Sequence, residues 1–355
     1  MADLEAMTSA IIREMEIRFG GNRPVFESIY FGGGTPSLLP EKMLNRIMES
    51  ISRLGTVKPA AEITLEANPE DITPELLCIW KTAGINRLSI GLQSSHDHRL
   101  EWMNRSHNAA DGSNAVKMAQ DAGMENISTD LIFGYPGQDQ NELEADLSHF
   151  LSLETPHISA YCLTIEPETV FGRRKKKGQL IPIPDEAAAR LFLQVYDQLQ
   201  AAGYQGYEIS NFAKPGWEAF HNRNYWFQKA FTGIGPSAHG FDGRASRYAN
   251  KASNQAYIRS MLDGQLCEER EEMTRASLVN EFILTRLRMK EGIPHALFEE
   301  KFGKKLPEIR INEIHDAQLR GWIGKDEDTL ILTREGRLMA DYVAMQLFFD
   351  DPEFE

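Results

Sequence analysis

Residues 28–37 read Ser-Ile-Tyr-Phe-Gly-Gly-Gly-Thr-Pro-Ser, and the three glycines stand where an apolar strand-like run, Ile29 to Phe31, stops. Glycine strips side chains from the backbone, so a bound group can approach bare N–H and C=O groups closely. Four later apolar runs also end in residues able to bind. They are Glu66-Ala67-Asn68-Pro69, Gly91-Leu92-Gln93-Ser94, Asp130 with Gly134-Tyr135-Pro136-Gly137-Gln138, and Thr164-Ile165-Glu166-Pro167. A carboxylate such as Glu66 or Asp130 can accept paired ribose hydroxyls or a protonated amine, and the Gln93 amide donates and accepts at once. Taken singly, each end reads equally well as a turn or cap. Five of them converging at the C-terminal ends of parallel strands is an arrangement that turn chemistry does not require, and that is where α/β enzymes bind cofactors.

The elements that must position these residues follow from hydrophobic spacing. Glu41 to Arg53 carries Met43, Leu44, Ile47, Met48 and Ile51 at helical intervals, so the glycines join a strand to a helix. Strand-like runs follow at Glu62–Leu65, Arg87–Ile90, Ile127–Phe133 and His157–Leu163, separated by helical segments Pro74–Ala83, His107–Ala122 and Gln140–Leu153. Glycines after Ala83 and Ala122 supply the usual helix stop. The alternation predicts an α/β fold with a parallel sheet, open or curled into a barrel. Ala2 to Phe19 is an amphipathic helix with no strand before it, so either the fold starts on a helix or an upstream strand is missing.

From about Glu166 the pattern changes. Arg173 to Gly178 reads as a basic, solvated loop, and Asp185–Ala202 as a long helix. A β-like stretch, Gly206–Ile209, precedes a loop rich in Gly, Asn and aromatics that runs to about Tyr248. From about residue 270 the helical segments Ala276–Met289 and Pro307–Arg320 precede Thr329–Leu332, and Thr333 is expected to cap a last helix, Arg337–Leu347. Helices followed by a small β-wing suggest a winged-helix-like module that packs against the rest. Three units result: 1–165, 166–269 and 270–355.

The net charge of −14 over 355 residues argues against general nucleic-acid binding. No run approaches the roughly 18 apolar residues of a membrane span, and no signal peptide precedes Ala2, so a cytoplasmic, reducing compartment is expected. The three cysteines, Cys78, Cys162 and Cys267, are far apart and form no metal-ligand spacing.

In FGGGTPS, the TLEANP of Thr64–Pro69, IGLQS, the MNRSH of Met103–His107, and DLIFGYPGQ, the chain resembles the radical S-adenosylmethionine enzymes of the coproporphyrinogen-dehydrogenase-like group, over nearly its whole length. The resemblance implies a partial (β/α)6 TIM-type barrel with a trailing C-terminal helical domain. It implies that Gly33, Gly34 and Thr35 meet the methionyl part of S-adenosylmethionine, and that Glu66, Gln93, Arg105, Asp130 and Thr164 contact the cofactor. The guanidinium of Arg105 suits its carboxylate. One departure is large. The family holds a [4Fe–4S] cluster on a Cys-x3-Cys-x2-Cys motif after its first strand, and no such motif is present. With the orphaned first helix, this leads to the expectation that the first strand and the cluster ligands lie upstream of Met1. The chain as it stands is expected not to cleave S-adenosylmethionine reductively.

The segment His221-Asn222-Arg223-Asn224-Tyr225-Trp226 separates branches of the family. It lies in an aromatic stretch (Phe212, Trp217, Phe220, Trp226, Phe227) read as loop rather than helix. A histidine among aromatics suits a flat apolar macrocycle, with imidazole as an axial ligand to haem iron; it equally suits a core histidine bonded to backbone. HNRNYW resembles the HNxxYW signature of the HemW-type haem chaperones, as do Tyr207–Gly216 and Gly233–Phe241. This implies haem as ligand at His221, with His239 a further candidate contact. It also implies apo-haemoproteins such as respiratory enzymes as partners and at most peripheral, partner-mediated membrane association, with a homodimer left open. The competing readings are a coproporphyrinogen III dehydrogenase and a cluster-less relative that binds without chemistry.

Overall fold

The computed structural model describes residues 2–351, so the last four residues of the third expected unit and anything upstream of Met1 lie outside it. The chain opens with α1 (Ala2–Phe19), β1 (Val25–Phe31), α2 (Glu41–Leu54), β2 (Thr56–Ala67), α3 (Pro74–Thr82) and β3 (Arg87–Gln93). It continues with α4 (Asp97–Trp102), α5 (Ala109–Asp121), β4 (Asn126–Phe133), α6 (Gln140–Ser152) and β5 (His157–Cys162). The five strands pair in parallel in sequence order, and each crossover is helical, as expected of consecutive βα units. The sheet curls into a half-barrel.

Next come α7 (Val170–Lys176), α8 (Asp185–Ala201), β6 (Gln205–Gly206) and β7 (Asn211–Ala213); β7 adds antiparallel to the β5 edge and β6 pairs antiparallel to β7 at the outside. They are followed by α9 (Phe220–Trp226), β8 (His239–Phe241), β9 (Ser246–Asn250), α10 (Asn254–Leu262) and β10 (Glu268–Glu272), with β8 to β10 forming an antiparallel sheet. The remainder is α11 (Arg275–Leu287), β11 (Ile293–Pro294), α12 (His295–Phe302), α13 (Leu306–Ile309), α14 (Ile311–Leu319), β12 (Thr329–Leu330), α15 (Arg334–Arg337) and α16 (Ala340–Gln346). It closes around its own core of Phe282, Phe298, Leu306 and Val343, with β11 and β12 as a two-stranded wing.

The half-barrel has two unlike faces, because strand side chains alternate. Ile63, Leu65, Leu88, Ile90, Ile127 and Ile158 face outward and pack on Leu44, Leu77, Trp80, Val116, Leu147 and Leu191 of the helices. The register places Ser28 beside Glu62, Tyr30 beside Thr64, Thr64 beside Arg87, Glu66 beside Ser89, Ser128 beside His157 and Asp130 beside Ser159. The inner face is therefore polar along its length.

Four expectations need correction. Arg173 to Lys176 form most of a helix, not a loop: Thr169 caps it by accepting from the Gly172 N–H, and Arg and Lys are good helix formers. The stretch expected as Gly206–Ile209 is the β6–β7 pair, starting at Gln205 and resuming at Asn211. His221 to Trp226 are helical, in α9, whose first turn is capped from β2. The expected last helix is divided in two: Thr333 caps α15, and α16 starts afresh at Ala340.

Candidate functional site

At the end of β1, Gly33 and Gly34 take φ of +82° and +67°, a region other residues enter at a cost. Gly32 is needed for another reason, since a Cβ there would lie 2.5 Å from the ring of Tyr30. Glu66 closes the loop onto β2. Its carboxylate accepts from the Tyr30 hydroxyl at 2.8 Å and from the Gly33 N–H at 3.0 Å. Burial and the adjacent Glu66 charge push the Tyr30 phenol well above its ordinary value, so it stays protonated and donates. Thr35 stands at the start of a short turn, exposed, with no side-chain capping bond.

Asp130 sits on the same inner face and accepts from Ser89 Oγ at 3.3 Å. Burial, aided by the charge of Glu66, raises its carboxyl to about 6, against the lowering pull of Ser159, Ser89 and Arg87. Gln93 is buried with φ of +72°, where a register shift interrupts the β3–β4 ladder, and its carbonyl accepts from Tyr135. A bulge of this kind re-aims a side chain at the rim of a barrel. The loop between α4 and α5 carries Arg105, half-buried, with Nη1 at the limit of hydrogen-bond distance, 3.5 Å, from Asn68. His107 pins that loop, contacting Glu70 at 3.1 Å and the Leu92 carbonyl at 3.2 Å.

His221 is the second focus. Glu62 of β2 accepts from the N–H groups of Phe220 and His221, satisfying two donors of the first turn of α9 and holding the helix over the inner face. The ring lies nearly parallel to that of Tyr30, with centroids 5.0 Å apart. Its Nδ1 is 2.8 Å from Ser28 Oγ and its Nε2 2.7 Å from the Tyr225 hydroxyl. Burial lowers the imidazole to about 4, so it is neutral at physiological pH. Tyr225 continues edge-on to Phe231, which contacts Phe241.

Tyr30 thus joins the two groups, hydrogen-bonded to Glu66 and stacked on His221. Spacing did not single out Tyr30, Ser28, Glu62 or Tyr225, although the alternation of Ser28 with Tyr30, and of Glu62 with Thr64 and Glu66, carried the signal. The structure does not join every expected residue to this face. Thr164 is exposed beyond β5, and His239 is exposed on β8, on the same side of the strand as Phe241. Cys78, Cys162 and Cys267 are free, on α3, at the end of β5 and just before β10. Among the described residues no group of three or more His, Cys, Asp or Glu could hold a metal ion.

The residues present therefore do not fit a [4Fe–4S] cluster. They do fit an amine- and ribose-bearing ligand: paired carboxylates, bare glycine backbone, a guanidinium at the rim, and the buried hydroxyl of Thr64 left without a partner.

The family model of the Radical SAM superfamily matches residues 6–150, and that of the HemN C-terminal domain matches residues 273–339. The chain is 37% identical over 325 residues to a Bacillus subtilis protein named "Heme chaperone HemW", covering 90% of this chain and 85% of that one. A protein of the same name from Escherichia coli is 33% identical, covering 94% and 86%. Among solved structures, the coproporphyrinogen III oxidase HemN of Escherichia coli superposes with a TM-score of 0.82 at 20% identity, covering 97% of this chain and 82% of that one; that likeness concerns the fold.

Proposed function

Because this chain belongs to the radical SAM superfamily, and within it to the family of the heme chaperone HemW proteins, we propose that it binds haem at His221 and hands it to apo-haemoproteins, such as respiratory-chain enzymes, in the cytoplasm. The observation that carries this reading is a neutral imidazole set among aromatic rings. Neutral imidazole is the ligating form, and Tyr30 and Tyr225 offer ring surface next to it, with Phe231 behind Tyr225.

Both ring nitrogens are hydrogen-bonded within the protein, to Ser28 and Tyr225. Ligation through Nε2 displaces the Tyr225 hydroxyl, while Ser28 at Nδ1 keeps the ring oriented, as outer hydrogen bonds do for metal-bound histidines. On hand-off Tyr225 reclaims the nitrogen, so release leaves no buried nitrogen unpaired. The exchange of one bond for another keeps the site reversible, which a carrier requires.

The glycine loop, Glu66, Gln93, Arg105 and Asp130 would hold S-adenosylmethionine. When bound, that group would supply a reactive sulfonium centre. The contribution of this chain is to seat its amine and ribose on carboxylates and its carboxylate on Arg105. Thr164 and His239 are proposed as outer contacts of the cofactor and of haem.

The test is an anaerobic haem titration followed in the Soret region, on the wild type and on His221→Ala. Saturable binding that the substitution weakens at least tenfold supports the reading. Equal affinity and an unchanged Soret band in the variant overturn the ligand role. Anaerobic turnover of coproporphyrinogen III by the protein would instead favour the dehydrogenase.

A further inference from the structure

Helix α7 carries Arg173, Arg174, Lys175 and Lys176, with Lys177 directly after it, and all five side chains are exposed. In a chain of net charge −14, adjacent cations have many carboxylates to pair with. Among the described residues none of the five forms an ion pair, and their single side-chain hydrogen bond runs from Arg173 to the carbonyl of Glu168. The patch is nonetheless firmly built. Phe171 stacks on Trp102 at 4.4 Å, and Gly172 is buried so tightly that a Cβ would lie 2.1 Å from the Glu166 carbonyl oxygen. One side of α7 is anchored and the other is presented to solvent.

Apolar side chains flank the cations. Val170, 56% exposed, stands one helical turn from Arg173 and Arg174 and shares their face. Ile181, 80% exposed, lies with Arg174 on a shallow cleft completed by Trp102 and Pro182 to Pro184. A partner for this surface must offer anionic groups and, immediately beneath them, an apolar medium. An anionic phospholipid bilayer offers both, and basic amphipathic helices use it in this way. An acidic protein or a nucleic acid would match the charge without calling for protruding Val170 and Ile181.

We propose that α7 and the segment to Pro184 dock this protein directly on an anionic lipid surface, Arg173 to Lys177 meeting headgroup phosphates while Val170 and Ile181 enter the interface. The acidic remainder of the molecule is repelled by the same surface, which fixes the orientation of approach. The contact is direct rather than through an acceptor protein, and it does not depend on His221.

The test is co-sedimentation of the full chain with vesicles of mixed phosphatidylglycerol and phosphatidylcholine, and of phosphatidylcholine alone, at low and high salt. Binding to the anionic vesicles only, weakened by salt, is expected. Each basic residue at such a surface is worth about fivefold in affinity, so the triple variant Arg174→Ser/Lys175→Ser/Lys176→Ser should lose about a hundredfold. Ile181→Ser should lose several-fold without altering the salt dependence. Absence of vesicle binding by the wild type overturns the proposal, as does equal binding by the triple variant. Retention on polyglutamate or duplex DNA with no retention on vesicles overturns it in favour of a macromolecular polyanion. Haem titration of the same samples reports separately on His221, so either reading can fail alone.

Discussion

The Tyr225 hydroxyl lies 2.7 Å from Nε2 of His221, one turn away on the same helix, so the nitrogen best placed to meet a metal is covered by its own neighbour. Haem must compete with this bond, whose net worth is about 0.5–1.5 kcal/mol. Tyr225→Phe keeps the ring and removes the competitor. Haem affinity should rise by up to about tenfold, read as a lower midpoint in a Soret titration. A weakened affinity would mean that the hydroxyl contacts haem instead of guarding the imidazole.

The same imidazole sets a pH profile. Its folded value is about 4 because burial disfavours the cation, whereas in the unfolded chain it titrates near 6.5. Haem affinity should therefore stay level from pH 8 down to about 5, where an exposed histidine would already have lost its free nitrogen. The sign for stability is also defined. The unfolded state takes up the proton first, so the contribution of His221 is intact above about pH 6.5 and is lost as pH falls toward 4. His221→Asn should flatten the thermal-melting profile across that window.

Asp130 behaves in the opposite sense. Its folded carboxyl titrates near 6, raised by burial and by Glu66, so as pH climbs from about 4 to 6 the unfolded state ionises first and the native state loses ground. Asp130→Asn should raise the melting temperature at pH 7 to 8, with the gain vanishing below about pH 4. A gain that persists in acid would trace to something other than ionisation. Stabilisation at a binding residue is the usual mark of a site kept for function rather than for folding.

Glu62 is expected to matter for placement. It satisfies two N–H groups at the start of α9, and loss of such a cap costs about 0.5–2 kcal/mol. Glu62→Ala should lower the melting temperature and weaken haem binding together. If the melting temperature falls and the haem titration does not change, the position of α9 is irrelevant to the ligand.

A larger cost is expected at Glu14, which is fully buried. It accepts from Gly235 N, Asn250 Nδ2, Tyr257 Oη and Arg18, and Arg18 also contacts Glu268. Glu14→Ala leaves the Gly235 N–H and the Tyr257 hydroxyl without this acceptor, while Arg18 keeps Glu268 and Asn250 Nδ2 keeps the Gly235 carbonyl, a loss of about 2–5 kcal/mol. Urea unfolding should show that loss; a change under about 1 kcal/mol would mean that water fills the gap.

Much of this architecture is legible in residue order. The strands β1 to β5 follow from apolar runs, α2, α3 and α6 from spacing and caps, and the glycine loop from its composition. Helix α9 is not legible, because its seven residues carry no aliphatic stripe and its cap is Glu62, 158 residues away from Phe220. Helix α7 is masked by its own charge, since a basic run reads as solvated chain until the local cap at Thr169 is noticed. Within the site, Glu66 and Gln93 stand out as polar residues at strand ends, and Asp130 as the one carboxylate within β4. Tyr30 does not, because an aromatic in a strand is ordinary until the sheet curls and brings Glu66 and His221 to either side of it.

Glu14 has one more consequence, which concerns synthesis. Its partners lie 221 to 243 residues further along the chain. At roughly 5–20 residues per second the ribosome needs on the order of ten seconds or more to deliver them. Helix α1 can rest against α2 soon after emerging, since Arg46 reaches back to Glu5. Its other flank, with Met7, Ala10 and Ile11, waits bare until Tyr257 and Met261 arrive. The nascent half-barrel is thus an unfinished vessel, one of whose early walls is latched last, and through that interval the apolar flank of that wall stands open to solvent.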